Sequence, residues 1–352
     1  MKRILILCNT YFQLIVAMQL RSTVNKEDKI YVVISDHSKN AKTIYSKLKE
    51  VKYFEDVWYY ETEKEVNHSN IWARLKVLWR SIFGRNVLQM PKDLQFDEII
   101  GYNLDIPAHL LYAYCKKKNK NLVCNRFEEG IFSYHTQLDN CGELKLIYKV
   151  RSLLGKTNMR DEPKKFYCFT PAFYKGDLET VQIPKIQKTD EEFKKLLVDI
   201  FEIPQNCNAG CKYLYLPCIY DMEGGEPIGE LKLALKISNM IGRELLLVKP
   251  HPRDDKNKYI KAGLLVDQVA HVPLEALIIC GYYQNMTLLT ALSGSLLTVF
   301  NLFQMETKGY YLYEYCDISG NDMAMFYSRV LNEYLDGENA NFNGITILQR
   351  EE

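Results

Sequence analysis

The stretch Glu244-Leu245-Leu246-Leu247-Val248-Lys249-Pro250-His251-Pro252-Arg253 decides the fold. Its first half is a short apolar run without polar alternation, the pattern of a strand buried on both faces of a parallel sheet. Pro250 and Pro252 hold the following backbone out of a helix. His251 is therefore expected at the carboxyl edge of the strand, where open α/β sheets bind their ligands. Lys249 and Arg253 set the imidazole between two cations, an arrangement attractive to a phosphate. A surface loop histidine is the plainer reading of a lone His-Pro pair, and the rest of the chain has to decide between them.

Working outward, the same alternation of apolar runs and helical periods recurs. Ile4-Leu5-Ile6-Leu7-Cys8 reads as a first strand, residues 11–21 as a helix, and Lys29-Ile30-Tyr31-Val32-Val33-Ile34-Ser35 as a second strand. Residues 41–48 read as helix, 54–60 as strand, 97–101 as strand, 106–115 as helix and 122–124 as strand. Repeated strand–helix units of this size imply a parallel, doubly wound sheet. A polar passage over 176–210, carrying Pro184, Lys185, Lys188, Pro204 and Asn206 with one helix near 190–201, is the expected linker. A second series then starts at Tyr213-Leu214-Tyr215-Leu216, with a helix over 227–241 leading into the quoted strand. Residues 1–175 and 211–352 are thus two Rossmann-like halves. The chain length of 352 residues suits two domains of roughly 150 residues each.

Composition narrows the function. The chain is 47% hydrophobic and 25% charged, as in folded soluble proteins. A net charge of +1 provides no field for nucleic acid, so no nucleic-acid partner is expected. The ten cysteines are scattered, and Cys207, Cys211 and Cys218 have neither a nearby histidine nor zinc-ribbon spacing. Free, mostly buried thiols in a reducing compartment account for them, and a cytoplasmic location follows. The apolar run after Met1-Lys2-Arg3 stops at Cys8, so it is a strand and not a signal peptide. No apolar stretch reaches the length of about 18 residues that spans a bilayer.

Two further motifs carry chemistry. Arg126-Phe127-Glu128-Glu129-Gly130 follows the 122–124 strand as the histidine motif follows its own. Adjacent carboxylates repel, which raises at least one pKa and suits a general base. Gly130 permits the sharp turn that would aim a carboxylate at a ligand; the alternative is a solvated Glu-Glu pair opening a loop. Thr290-Ala291-Leu292-Ser293-Gly294-Ser295-Leu296 places small hydroxyl residues around a glycine at a helix start, where N–H groups hold phosphate. It is no Walker motif, because no Gly-Lys-Ser/Thr follows, and it also fits an ordinary helix N-terminus. Glu275, just after Pro273, suits either ribose hydroxyls or the helix dipole.

In order along the chain, the acidic-acidic-Gly motif, the Lys-x-His-Pro motif, the Pro-x-Glu segment and the serine pair resemble those of bacterial sialyltransferases. The opening Cys8-Asn9-Thr10-Tyr11-Phe12-Gln13-Leu14 is similar to that of glycosyltransferase family 52, the lipooligosaccharide and capsular polysaccharide sialyltransferases. The resemblance implies an α/β GT-B fold, two Rossmann-like domains facing across a cleft, with an N-terminal acceptor-side domain and a C-terminal domain binding the CMP donor. It implies inverting transfer of sialic acid from CMP-sialic acid to a galactose-ended glycan, with no metal and no cofactor. Glu129, or Glu128, then becomes the base and His251 meets the donor phosphate. Lys249, Pro252 and Arg253 lie at the donor, Glu275 at the ribose, and Ser293 and Ser295 at the phosphate. Asn9, Thr10, Gln13 and Gly130 line the substrate loop. The serines are split by Gly294, whereas related enzymes often have them adjacent. Another nucleotide sugar, polysialic acid extension, or an inactive nucleotide- or glycan-binding protein are the rival readings.

The chemistry agrees with these roles. Sialyl transfer develops positive charge at the anomeric carbon while CMP departs, so the acceptor hydroxyl needs a base and the phosphate needs a proton or a cation. A monophosphate leaving group needs no diphosphate-bridging metal, and Asp221-Met222-Glu223 is the nearest approach to an Asp-x-Asp motif.

Residues 71–85 bear on the acceptor. On a helical wheel Ile71, Trp72, Leu75, Leu78, Trp79, Ile82 and Phe83 share a face, with Lys76 and Arg80 opposite, Arg74 and Arg85 flanking, and Ser69 or Asn70 as caps. Such a helix suits peripheral contact with the inner face of the plasma membrane and a lipid-linked acceptor. Packing on its own sheet or on a second subunit in a homodimer is the expectation slightly favoured.

Overall fold

The computed structural model describes residues 1–62, 71–135, 144–204, 210–302, 308–335 and 344–348. The chain divides into two units, Met1–Pro184 and Lys185–Glu352. In the first, among the described residues, seven parallel strands run β1 (Arg3–Cys8), β2 (Lys29–Ser35), β3 (Asp56–Tyr60), β4 (Glu98–Ile100), β5 (Val123–Phe127), β6 (Pro163–Cys168) and β7 (Glu179–Gln182). Their order in the sheet is β3-β2-β1-β4-β5-β6-β7. The helices between them are α1 (Tyr11–Ser22), α2 (Ala41–Val51), α3 (Ile71–Phe83), α4 (Ile106–Lys118) and α5 (Lys145–Leu153).

The apolar runs read from sequence are the central strands. Ile4, Leu5 and Ile6 of β1 are wholly buried, and each contributes roughly 1.5–3 kcal/mol of transfer free energy. α4 shows why helices start and stop where they do. Asp105 caps it, its carboxylate accepting from the Ala108 amide at 2.8 Å, Pro107 presets the first turn, and Lys116, Lys117 and Lys118 complement the dipole at its end.

α3 joins α4 through a buried polar contact, Ser81 Oγ lying 2.9 Å from His109 Nε2. Burial, with the charge of Arg151 adding to it, pushes the His109 pKa down to about 3. The folded state thus keeps His109 neutral while the unfolded chain protonates it near its ordinary value. Between those two values the unfolded chain binds more protons, so stability falls as the pH falls. Acidifying from roughly pH 7 to pH 5 should cost about 2 kcal/mol through this residue. Urea midpoints across that range should show a shallower acid limb in His109→Gln than in the parent.

In the second unit the described strands are β8 (Tyr213–Tyr215), β9 (Leu246–Val248), β10 (Leu265–Val266), β11 (Thr287–Thr290), β12 (Gly309–Tyr311) and β13 (Ile345–Ile347). They too are all parallel, in the order β10-β9-β8-β11-β12-β13. Helices α6 (Glu191–Phe201), α7 (Glu230–Ile241), α8 (Lys256–Lys261), α9 (Leu274–Ile279), α10 (Ser295–Leu302) and α11 (Asp322–Leu335) accompany them. β9 is shorter than the apolar run suggests, because Arg243–Leu245 forms a tight helical turn ahead of it.

The structure corrects two expectations. The described part of 176–210 is not a linker: β7 closes the first sheet, α6 belongs to the second unit, and the division between the units falls at Pro184–Lys185. β7 is a short, half-exposed edge strand, so no apolar run announces it. The second correction concerns α3, which does not pack through its tryptophan face. Val77 and Ser81 are buried, whereas Trp72, Leu75, Trp79 and Phe83 are exposed. Lys76 lies beside that stripe and not opposite, only about 60° from Trp79 around the helix. The suggested caps Ser69 and Asn70, together with Asn206 and Cys207, fall outside the described residues. Cys8, Cys115, Cys124, Cys168 and Cys218 are buried thiols. Among the described residues no helix is long and apolar enough to cross a membrane.

Candidate active site

In both sheets the strand order reverses beside the first strand, at β1/β4 and at β8/β11. Loops leaving the carboxyl ends of such neighbours diverge and open a crevice, the usual ligand site of a doubly wound sheet. Of the residues singled out from sequence, Asn9, Thr10, Gln13 and Glu129 lie on loops at this edge of the first sheet, and Lys249, His251 and Ser293 lie on loops that follow β9 and β11 in the second.

In the first unit, Thr10 caps α1, and its hydroxyl donates to both carboxylate oxygens of Glu129, at 3.0 and 3.2 Å. Gln13 is buried; it accepts from the Asn9 amide at 2.6 Å and donates to Asn103 at 2.8 Å. The Asn9 side chain donates to Asp105 at 2.7 Å. The loops after β1 and β4 are thereby locked together across the switch point. Glu129 also acts at a distance: after burial itself, its charge raises the Cys8 thiol and the Tyr102 phenol above their ordinary values.

Gly130 makes this placement possible. Its φ of 67° and ψ of −172° lie in a region essentially closed to other residues. The turn is tied by Ser133, whose hydroxyl accepts from the Glu129 amide at 3.0 Å and donates to the Gly130 carbonyl at 2.6 Å.

Glu128 goes the other way. Successive residues of an extended chain point to opposite faces, and Glu128 is wholly buried. It accepts from the Tyr134 hydroxyl, and from the Phe169 amide at 2.9 Å, which bonds the end of β5 to the end of β6. Glu128→Ala would strand two buried donors at about 1–3 kcal/mol each. Urea denaturation should show a loss of about 2–6 kcal/mol, where a solvated glutamate would show almost none.

In the second unit, β9 is followed directly by Lys249, which turns inward. Its ammonium donates to the carbonyls of Ala270 at 3.0 Å and Val272 at 2.8 Å. Burial lowers its pKa to about 8, against the opposing charges of Asp267 and Glu275. Glu275 opens α9 and is buried as well; burial raises its pKa, while its own amide and Lys249 lower it. Lys249 therefore braces the loop before α9, with Glu275 feeling its charge.

His251 is half-buried at the strand edge. Its Nδ1 accepts from the Arg253 amide at 3.2 Å, so the neutral ring carries its proton on Nε2 as a donor. Arg253 is paired on the surface with Glu223 at 2.8 Å, and Pro252 is exposed within the same turn. Ser293 accepts from the Ser295 amide at 3.3 Å at the start of α10, and Tyr311 donates to the Ser293 carbonyl at 3.1 Å. A Cβ on Gly294 would come within 3.0 Å of the Tyr327 hydroxyl. The glycine that splits the serine pair leaves space that a Cβ would contest with the Tyr327 side chain.

No family model and no curated protein sequence matches the chain. Solved structures do. An α/β-galactoside α-2,3-sialyltransferase from the luminous marine bacterium Photobacterium phosphoreum matches with a TM-score of 0.51 at 11% identity, over 98% of this chain and 97% of that one. The glycotransferase of kitacinnamycin matches with a TM-score of 0.50 at 10% identity, over 99% of this chain and 86% of that one. The chain has a GT-B fold.

Several residues of this GT-B chain escaped sequence reading. Asp105 sets the helix start beside Asn9, and Asp-x-Pro at 105–107 was a readable cap signal. Glu230 is buried and accepts from the Tyr215 hydroxyl, and from the Cys218 amide at 3.2 Å; burial raises its pKa to about 7. Asn321 donates to the carbonyls of Tyr220, Glu223 and Glu226 at 2.9–3.0 Å. Together they shape the loop after β8, and no local motif marks either. Asp221 is engaged by the amides of Gly229 and Glu230, the nearer at 2.8 Å.

Proposed function

We propose that this chain is a glycosyltransferase: an inverting, metal-independent sialyltransferase of family 52. It moves sialic acid from CMP-sialic acid to a galactose-ended glycan of a bacterial surface polysaccharide or lipooligosaccharide, working in the cytoplasm. The observation that carries the reading is the complementary chemistry of the two sheet edges. One presents a carboxylate oriented by a hydroxyl; the other carries an imidazole donor on the loop after β9 and two serines at the helix start after β11.

In the reaction, the acceptor hydroxyl oxygen bonds to the anomeric carbon as the bond from that carbon to the CMP phosphate breaks. Glu129 takes the hydroxyl proton, and Thr10 keeps the carboxylate aimed. His251 gives its Nε2 proton to the departing phosphate, and Ser293 and Ser295 hydrogen-bond its oxygens. Glu275 is assigned to the ribose. Lys249 acts through the loop that it braces and not as a direct phosphate ligand.

Incubation with CMP-sialic acid alone tests the reading, since sialyltransferases slowly hydrolyse their donor. Released CMP is expected, undiminished by EDTA. A protein that gains melting temperature with CMP but releases none would be a binding protein. Turnover of a UDP- or TDP-sugar, rescued by Mg²⁺ after EDTA, would replace the donor.

A further inference from the structure

Arg126 opens the Arg126–Gly130 motif, yet neither the fold nor the roles assigned above use its charge. It stands near the carboxyl end of β5, three residues before Glu129. Its register partner on β6 is Phe166, and side chains paired across neighbouring strands share a face. Tyr174 stacks on the Phe166 ring at 4.6 Å, and Tyr134 meets the same ring edge-on at 5.7 Å. On that face the arginine adjoins an aromatic wall.

Among the described residues, Nε of this guanidinium is buried without a hydrogen-bond partner, and no carboxylate pairs with it. The residue as a whole is half-buried, which leaves the terminal nitrogens of the fork open. Withdrawing part of a cation from water without a partner costs free energy. A fully solvated arginine bears no such cost, whereas one that meets an anion recovers it.

The neighbours show where that anion would sit. Burial raises the Tyr102 phenol, the Glu129 charge raises it further, and the Arg126 charge opposes both. Burial also raises Tyr174, against the Leu178 backbone and then Arg126. Tyr102 follows β4 and Tyr174 follows β6. Arg126 therefore acts on both loops that flank β5, and shares Tyr102 with Glu129.

We propose that Arg126 binds the carboxylate of a sugar acid at this edge of the first unit. The planar fork of an arginine matches a carboxylate through two parallel hydrogen bonds. The groups assigned above to the donor phosphate lie on the second unit, so an anion met here belongs to a sugar. A carboxylate brought near Glu129 meets like charge; the guanidinium offsets that repulsion and fixes how the sugar lies. On the sialyl-transfer reading, on which this assignment rests, the sugar is a sialic acid. It is either the residue being transferred or one already at the acceptor end.

Titration of the full chain with N-acetylneuraminic acid and with its methyl ester, followed by ligand NMR, tests the proposal. The wild type should prefer the free acid by about ten- to a hundredfold, the worth of a charge-assisted hydrogen bond. Arg126→Gln should lose that preference, and Arg126→Lys, with the charge but without the fork, should keep part of it. Both variants should melt no lower than the parent, since Arg126 has no hydrogen bond to lose. Steady-state kinetics separate the two sources. If the transferred residue supplies the carboxylate, Arg126→Gln raises KM for CMP release from CMP-sialic acid alone. If the acceptor supplies it, that KM holds, and only a sialylated acceptor loses ground against neutral lactose. No preference for the acid in the wild type, or an undiminished one in Arg126→Gln, overturns the proposal. A preference lost in Arg126→Gln from a chain that releases no CMP would sink the sialyltransferase reading and leave the carboxylate site standing.

Discussion

Glu129→Gln should lower kcat/KM for transfer to an acceptor by about 10²- to 10⁴-fold, the range that a positioned general base supplies. The variant should stay folded. Glutamine keeps an amide oxygen for the Thr10 hydroxyl, which now lies 3.0 Å from the carboxylate, and Glu129 is only half-buried. CMP should still raise the melting temperature, because the groups assigned to the nucleotide are on the other unit. The comparison with Glu128 makes the experiment decisive. Glu128 accepts from Tyr134 and Phe169 inside the domain, so its variants should fail in stability before they fail in chemistry. A stable, inactive Glu128→Gln beside an active Glu129→Gln would reverse the two roles.

His251→Ala should cut kcat by about a hundredfold or more, both for transfer and for donor hydrolysis, because the departing phosphate loses its proton source in each. Its structural cost is small. The ring is half-buried in a surface turn and accepts from the Arg253 amide at 3.2 Å, and an intramolecular hydrogen bond is worth about 0.5–1.5 kcal/mol net. The two variants should therefore separate. Glu129→Gln should spare the donor affinity and stop acceptor turnover, whereas His251→Ala should slow CMP release with and without acceptor. Wild-type CMP release from His251→Ala would remove the donor half of the mechanism.

The fold was largely legible because a parallel strand covered on both faces must be apolar throughout. Ile4 to Cys8 and Leu246 to Val248 show this, and in both cases the motif beyond the strand lies at the carboxyl edge. β6 and β7 were not legible. Pro163-Lys164-Lys165 opens one with two cations, and the other is a polar edge strand of four residues. Within the site, the Glu-Glu-Gly motif was visible but its division of labour was not. Which carboxylate turns inward depends on Tyr134 and the Phe169 amide, contacts that only the folded sheet creates. Lys249 shows the same limit: next to a histidine it reads as a phosphate ligand, and only tertiary structure supplies the two carbonyls that take its ammonium. The α3 face was visible as amphipathic, yet its direction was set by Ser81 meeting His109 and Arg151, polar partners that a hydrophobic pattern cannot weigh.

The buried cysteines give each domain a reporter of its own opening. Burial pushes the thiols of Cys115 and Cys124 up to about 12, and Cys218 is raised as well by burial and by Glu230. Since only thiolates react, an alkylating reagent can reach them at a useful rate only when their surroundings open. Cys115 and Cys124 time that event in Met1–Pro184, and Cys218 times it in Lys185–Glu352. Peptide-resolved labelling of the unmodified chain would read two opening free energies from one sample. Added CMP should slow the label at Cys218 if the nucleotide binds the second domain, and leave Cys124 on its original schedule.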